Sequence, residues 1–301
     1  MTIAIAWTRR ILNCEELVFV SDSRLSKDGR IFDAAPKALT LSRNDCAIAF
    51  AGLTQDAFPM MLQFSLAISS YRVAQRRSMD LSELKTHGLK IFDAMATLLQ
   101  SDAHVIGAPQ DDIPAAEFLF GGYSWIKKEF ELWRIRFDKT RRRFVAIEAQ
   151  WAYFDPLRRR VHMDHLARSE RKTAIGRIAF AGDQAPKAKR LFSQMMARRY
   201  REGEEISKID MEPFDILTGM LRDPDHSSTI GGAPQLIKVY QYMQAVSFPI
   251  YWPDKQSGRR FLQGRPCLGY ENLDTKIVDP DNHSWPTNPV DPLSDTSTAE
   301  D

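Results

Sequence analysis

Leu17-Val18-Phe19-Val20-Ser21-Asp22-Ser23-Arg24 is an unbroken apolar run, residues 17–20, that ends abruptly in Ser-Asp-Ser-Arg. It reads as a strand carrying an acid and a base at its end. Upstream, Thr2 to Trp7 is apolar and β-prone, and the polar Asn13-Cys14-Glu15-Glu16 between the two runs predicts a hairpin turn. Downstream, Lys27-Asp28-Gly29 predicts another turn. Ala38 to Leu41 and Cys46 to Ala51 are short strands either side of Ser42-Arg43-Asn44-Asp45, and Gly52 closes the region.

Helical spacing then takes over. Phe58, Met61, Leu62, Phe64, Ser65, Ile68 and Tyr71 predict a helix over about 54–74, with Thr54 as N-cap. Leu84, Leu89, Ile91, Phe92, Met95, Leu98 and Leu99 predict a second over 81–100, capped by Asp80 or Ser78. Strand patterns return at Ala116–Tyr123, Glu129–Phe137 and Arg143–Ala149, with Asp138-Lys139-Thr140 as a turn, and residues 151–176 leave a further hairpin open. Arg177–Ala181 is a strand running into Gly182, followed by helices at 185–201 and 212–221 and strands at 236–242 and 246–252. Runs of strands segregated from pairs of helices point to an α+β fold of packed, mainly antiparallel sheets flanked by helix pairs, and exclude an alternating βαβ domain. From Asp274 the chain is rich in Asp, Pro, Asn, Ser and Thr. The expectation is one domain over 1–273 and a disordered tail over 274–301.

Composition narrows the function classes. The 301 residues carry a net charge of +2, so nothing global points to nucleic acid or an acidic membrane surface. Three cysteines, Cys14, Cys46 and Cys267, have neither metal-ligand nor disulfide-framework spacing, which suits a reducing cytoplasm. No stretch reaches the roughly 18 apolar residues of a membrane span, and the short opening run precedes its arginines, unlike a signal peptide. The expected location is therefore cytoplasmic, with a mature N-terminus once Met1 is lost. His162-Met163-Asp164-His165 invites a metal reading, but on a strand the two histidines face opposite ways and no third ligand is evident. The expectation is no metal and no cofactor. The arginine runs 141–143 and 158–160 read as solvated turns, and Met60-Met61 and Met195-Met196 as packing residues.

In order along the chain stand Thr2, then Val20-Ser21-Asp22-Ser23-Arg24, then Lys37-Ala38-Leu39-Thr40-Leu41, then Ala49-Phe50-Ala51-Gly52 with Asp56 four residues on. Phe118–Tyr123, Glu131–Asp138 and Ile178-Ala179-Phe180-Ala181-Gly182 follow. This ordered set, over residues 2–245, resembles the proteasome β subunits and the bacterial proteasome-like peptidases, which are N-terminal-nucleophile (Ntn) hydrolases. The resemblance implies a four-layer αββα sandwich. It also implies a threonine-type amidohydrolase or peptidase acting on a peptide or amide substrate, assembled as a homo-oligomer (ring or dimer); an ATPase partner is left open.

The site residues it implies are Thr2 as nucleophile, freed by removal of Met1; Lys37 as the charge beside it; Asp22 holding Lys37; Arg24 supporting that pair; and Gly52 N–H as oxyanion donor. Leu25, Phe50 and Thr54 fall where the family lines its first specificity pocket. The family often has Gly-Ser-Gly where this chain has Gly182-Asp183-Gln184, and Asp-x-x-Ser-Gly-Gly where it has Ser227-Ser228-Thr229-Ile230-Gly231-Gly232. Asp183, Asp225, Ser228 and Thr229 are the candidates to substitute. The chemistry is self-contained: a threonine Oγ attacks while its own amine, with an ordinary pKa near 8, takes the proton. Taken singly, Lys37 reads as a solvated strand-edge lysine and Asp22 with Arg24 as a surface ion pair. The competing functions are a catalytically silent proteasome-like scaffold or binding protein, and a small-amide amidase.

Overall fold

Alternation of large and small side chains organises the strands. In the computed structural model, which describes residues 2–27, 29–99, 113–165, 173–223, 230–242 and 244–283, Ile3, Ile5 and Trp7 face one way from the first strand and Ala4 and Ala6 the other. Because successive side chains alternate across a strand, both faces of this segment are buried.

The chain runs β1 (Ala4–Ile11), β2 (Cys14–Ser21), β3 (Leu25–Lys27), β4 (Arg30–Phe32), β5 (Ala38–Thr40), β6 (Cys46–Gly52), α1 (Thr54–Ser70), α2 (Arg72–Gln75) and α3 (Leu81–Ala96). There follow β7 (Ala116–Ser124), β8 (Glu129–Asp138), β9 (Arg143–Glu148), β10 (Gln150–Asp155), β11 (Arg160–Asp164) and β12 (Gly176–Ala181). The remaining elements are α4 (Ala185–Arg201), α5 (Glu212–Arg222), β13 (Gln235–Tyr240), β14 (Gln244–Phe248), β15 (Ile250–Tyr251), β16 (Arg260–Leu262) and β17 (Arg265–Pro266).

Among the described residues the strands form a seven-stranded sheet, ordered β11-β10-β12-β1-β2-β13-β14, and a five-stranded sheet, β5-β6-β7-β8-β9, every ladder antiparallel. The hairpin β3-β4 and the small sheet β15-β16-β17 stand apart. Among the described residues no helix is long and apolar enough to cross a membrane.

Three cores hold these elements. Ile5, Trp7, Val18 and Val20 pack with Phe192, Met196 and Phe214 of α4 and α5. Ile48 and Phe50 of β6 pack with Met60, Met61 and Phe64 of α1 and Phe92 of α3. Ala4, Ala6, Ala47, Ala49, Ala51, Ala179 and Ala181, together with Leu17, Phe19 and Leu119, form the third from both sheets. Phe92 stacks on Phe118 at 4.6 Å between centroids and meets Phe64 edge-on at 5.6 Å. Each fully buried phenylalanine stabilises the fold by about 1.5–3 kcal/mol.

Several boundaries differ from the sequence reading. The first hairpin turns at Leu12-Asn13, with Leu12 at φ 52°, because the ladder continues through Arg9↔Glu16 to Ile11↔Cys14 and Arg9 pairs with Glu16 at 3.0 Å. The first helix breaks at Tyr71, which is extended. Arg43, held by Asp45, donates to the carbonyls of Ala74 and Met79 and anchors the displaced turn α2. Leu53, not Thr54, occupies the N-cap of α1, whereas Asp80 caps α3 in a capping box with Glu83. Residues 151–176 contain the hairpin β10-β11. The expected tail does not begin at Asp274. Val278 is buried and bridges Ile250, Arg222 pairs with Asp281, and His283 lies against Phe214; the rest of that segment lies outside the described residues.

Candidate active site

The register of β1 on β2 pairs Ala4 with Ser21, so the next residues along each strand, Ile3 and Asp22, meet where the strands end. Ile3 N–H donates to Asp22 Oδ1 at 3.2 Å, and Ser21 Oγ donates to Ile3 O at 2.9 Å. Gln235, opposite Ser21 on β13, accepts the N–H groups of Lys37 and Ala38 at 2.9 and 3.1 Å. It thereby ties the lead-in to β5 of one sheet to the other. These constraints converge on one ammonium. Lys37 Nζ donates to both Asp22 oxygens at 2.9 Å and to Thr2 Oγ1 at 3.1 Å. Lys37 and Asp22 are each 0% exposed and Thr2 is 2% exposed. The solvated-lysine and surface-pair readings are therefore wrong.

Burial pushes the Asp22 carboxyl up, opposed first by the Lys37 charge and then by hydrogen bonds from Lys37 and the Ile3 and Arg24 amides. Burial likewise pushes Lys37 down, opposed by Asp22 and, at longer range, by Asp183 and Asp33. The arrangement supplies a cation in low dielectric at a hydroxyl, which favours its alkoxide.

Thr2 N donates to Asp183 Oδ1 at 2.7 Å. Gly182 makes that approach possible. It sits at φ +98°, and a methyl on its Cα would lie 1.9 Å from the Thr2 carbonyl oxygen. Asp183 thus sits on the Thr2 nitrogen, which would be the terminal amine of a chain lacking Met1. Gly52 ends β6 at φ +105°, where a methyl would meet the Ala115 carbonyl oxygen at 2.1 Å. The close neighbour that demands glycine there is this backbone carbonyl, a reason the sequence did not disclose.

Other expected members are placed differently. The Arg24 side chain forks onto Asp33, with Nε and Nη2 each 2.7 Å from a carboxylate oxygen, and only its backbone N–H reaches Asp22, at 3.1 Å. It therefore holds the β3-β4 hairpin rather than the Lys37 ammonium. Phe50 is fully buried against α1, its ring 6.0 Å from that of Phe58, which leaves it no solvent face. Leu25 begins β3 opposite Phe32, and Thr54 begins α1; both are half-buried. Asp225, Ser228 and Thr229 lie outside the described residues. His162 stacks on Tyr153 at 5.3 Å and lies 3.6 Å from Asp155. Arg142 and Arg159 sit at positive φ in the turns after β8 and β10.

Gln235, Asp33 and Glu117, whose Oε2 accepts the Gly182 N–H at 2.9 Å, are the residues that sequence reasoning missed. Their partners lie 9 to 213 positions away, and no spacing in the chain encodes such contacts. No family model matches the chain, and no curated protein aligns with it significantly.

Proposed function

We propose that this protein is a threonine-type Ntn amidohydrolase or peptidase with a four-layer αββα architecture, whose nucleophile is Thr2 after loss of Met1. The observation that carries the reading is the Lys37 ammonium, buried between Thr2 Oγ1 at 3.1 Å and both Asp22 oxygens at 2.9 Å. The three cores on and between the sheets support the layered architecture.

In the reaction, Thr2 Oγ attacks the substrate carbonyl carbon and the Thr2 amine takes the hydroxyl proton. The Lys37 charge stabilises the developing alkoxide, and the Gly52 N–H is the donor assigned to the oxyanion. Collapse expels the leaving amine, which receives the proton. Water then attacks the acyl ester through the same base, releasing the acid and restoring Thr2. The substrate is a peptide or small amide, and the working form is a homo-oligomer.

Intact mass of the purified full-length protein tests the first requirement, a chain lacking one methionine. A β-lactone or boronate adduct on Thr2 tests the second, and Thr2→Ala must abolish both adduct and hydrolysis while leaving the far-UV spectrum unchanged. Turnover that survives in Thr2→Ala refutes the mechanism. The 2% exposure of Thr2 favours one competing reading, a catalytically silent scaffold. Retained Met1 with no adduct would establish it.

A further inference from the structure

The Gly182-Asp183 step is held from the opposite sheet. Glu117 on β7 belongs to the five-stranded sheet, and Gly182 follows β12 of the seven-stranded one. Glu117 Oε2 accepts the Gly182 N–H at 2.9 Å, while Oε1 pairs with the Arg134 guanidinium from β8. The Glu117 side chain is 16% exposed, so this contact is largely shielded from solvent. Gly182 in turn lies against the Thr2 carbonyl, and the next residue, Asp183, accepts from Thr2 N at 2.7 Å. A chain of contacts thus leads from Arg134 through Glu117 and Gly182–Asp183 to the Thr2 nitrogen.

We infer that Glu117, braced by Arg134, is a positioning residue for the freed Thr2 amine: it orients the Gly182-Asp183 step so that the Asp183 carboxylate is the amine's counter-ion. The inference rests on the Thr2-nucleophile reading and adds to it a control on the base. An opposite charge within about 4–6 Å favours the ionised form by 1–3 pKa units. Asp183 therefore favours the ammonium, which cannot accept a proton, and Lys37 favours the free amine. The other charges about the site are Asp22 and Asp33 on the Lys37 side, and Glu117, Arg134 and Lys189 behind Gly182. The acid limb of the activity profile follows this balance. Weakening the hold on Asp183 moves it to lower pH.

Two variants separate position from charge. Glu117→Asp keeps the carboxylate but shortens its reach to Gly182 N–H; Glu117→Gln keeps an acceptor in reach but loses the charge. The protein used is full length beginning at Thr2, prepared by cleaving a fusion where methionine removal is incomplete. The amine pKa is read from the pH dependence of the NMR shift of labelled Thr2, and the acid limb of hydrolysis is read beside it. Asp183→Asn should lower the amine pKa by about one unit or more. Glu117→Asp should move it the same way, and Glu117→Gln, which keeps the Gly182 acceptor but loses the Arg134 ion pair, should move it less.

An unmoved amine in Glu117→Asp, or a Glu117→Gln shift as large as that of Asp183→Asn, overturns the inference. An unmoved amine in Asp183→Asn removes the counter-ion itself. Because the amine titration needs no turnover, these failures are distinct from failure of the hydrolase reading, which would show as absent hydrolysis and no adduct.

Discussion

Replacing Lys37 with methionine keeps the length of the side chain and deletes its charge. The Asp22 carboxylate, 0% exposed, would retain three backbone donors, from Ile3 at 3.2 Å, Arg24 at 3.1 Å and Gly231 at 3.3 Å. It would lose both 2.9 Å bonds from the ammonium. Breaking a buried pair by removing one partner costs about 3–5 kcal/mol. With a urea m-value of about 3 kcal/mol/M, the upper end for small proteins, the unfolding midpoint should fall by roughly 1–1.7 M.

The deficit also has a sign in pH. Without Lys37, burial acts on Asp22 opposed only by the backbone hydrogen bonds it keeps, so its folded pKa lies further above its unfolded value near 3.9. Asp22 ionisation then opposes folding. The deficit is smallest below about pH 4 and grows as pH rises through the raised folded value. Adding Asp22→Asn removes the stranded charge and keeps one acceptor oxygen, for either the Ile3 amide or the Arg24 and Gly231 amides, and should recover part of the loss. Hydrolysis should stay absent in both variants, separating chemistry from stability. Urea titrations at pH 4 and pH 7.5 on wild type, both single variants and the double variant supply the cycle. Losses that simply add, or a Lys37→Met midpoint equal to wild type, would refute the coupling.

Lys238 and Gly182 give two further outcomes. Lys238, about 1% exposed and paired with Glu16 at 2.8 Å, is lowered by burial to about 8. Because its folded value lies below its unfolded one, the unfolded chain binds more protons between about pH 8 and 10.4, and stability should rise with pH across that window. The gain is about 3 kcal/mol; Lys238→Met should erase it, and an identical pH-stability slope in that variant would refute the assignment. Gly182→Ala would place a methyl 1.9 Å from the Thr2 carbonyl oxygen. Hydrolysis should fall far more than the thermal midpoint, and a variant with undiminished kcat would show that Gly182 does not set the Thr2 position.

Much of the architecture was legible because burial on both strand faces leaves a written pattern. The large-small alternation of Ile3-Ala4-Ile5-Ala6-Trp7 and of Ala47-Ile48-Ala49-Phe50-Ala51 separates helix-facing from sheet-facing positions. Helix α4 spans Ala185–Arg201 as its periodicity predicts. The break at Tyr71 was not legible, since it answers to the Arg43-Asp45 pair. Nor was the packing of residues 274–283, whose polar composition hides the buried Val278 and Pro280. The ordered series of motifs, through its resemblance to the proteasome-like family, marked Thr2, Asp22, Lys37 and Gly52 as the residues to watch; taken singly, each reads as an ordinary strand-end residue. Which of them touch was decided only in three dimensions. The Gln235 bridge, the Asp183 contact to the Thr2 nitrogen and the Glu117 contact to the Gly182 N–H join residues 65 to 198 positions apart. Such contacts are fixed by sheet register and by the mutual satisfaction of buried polar groups, for which a linear pattern has no symbol.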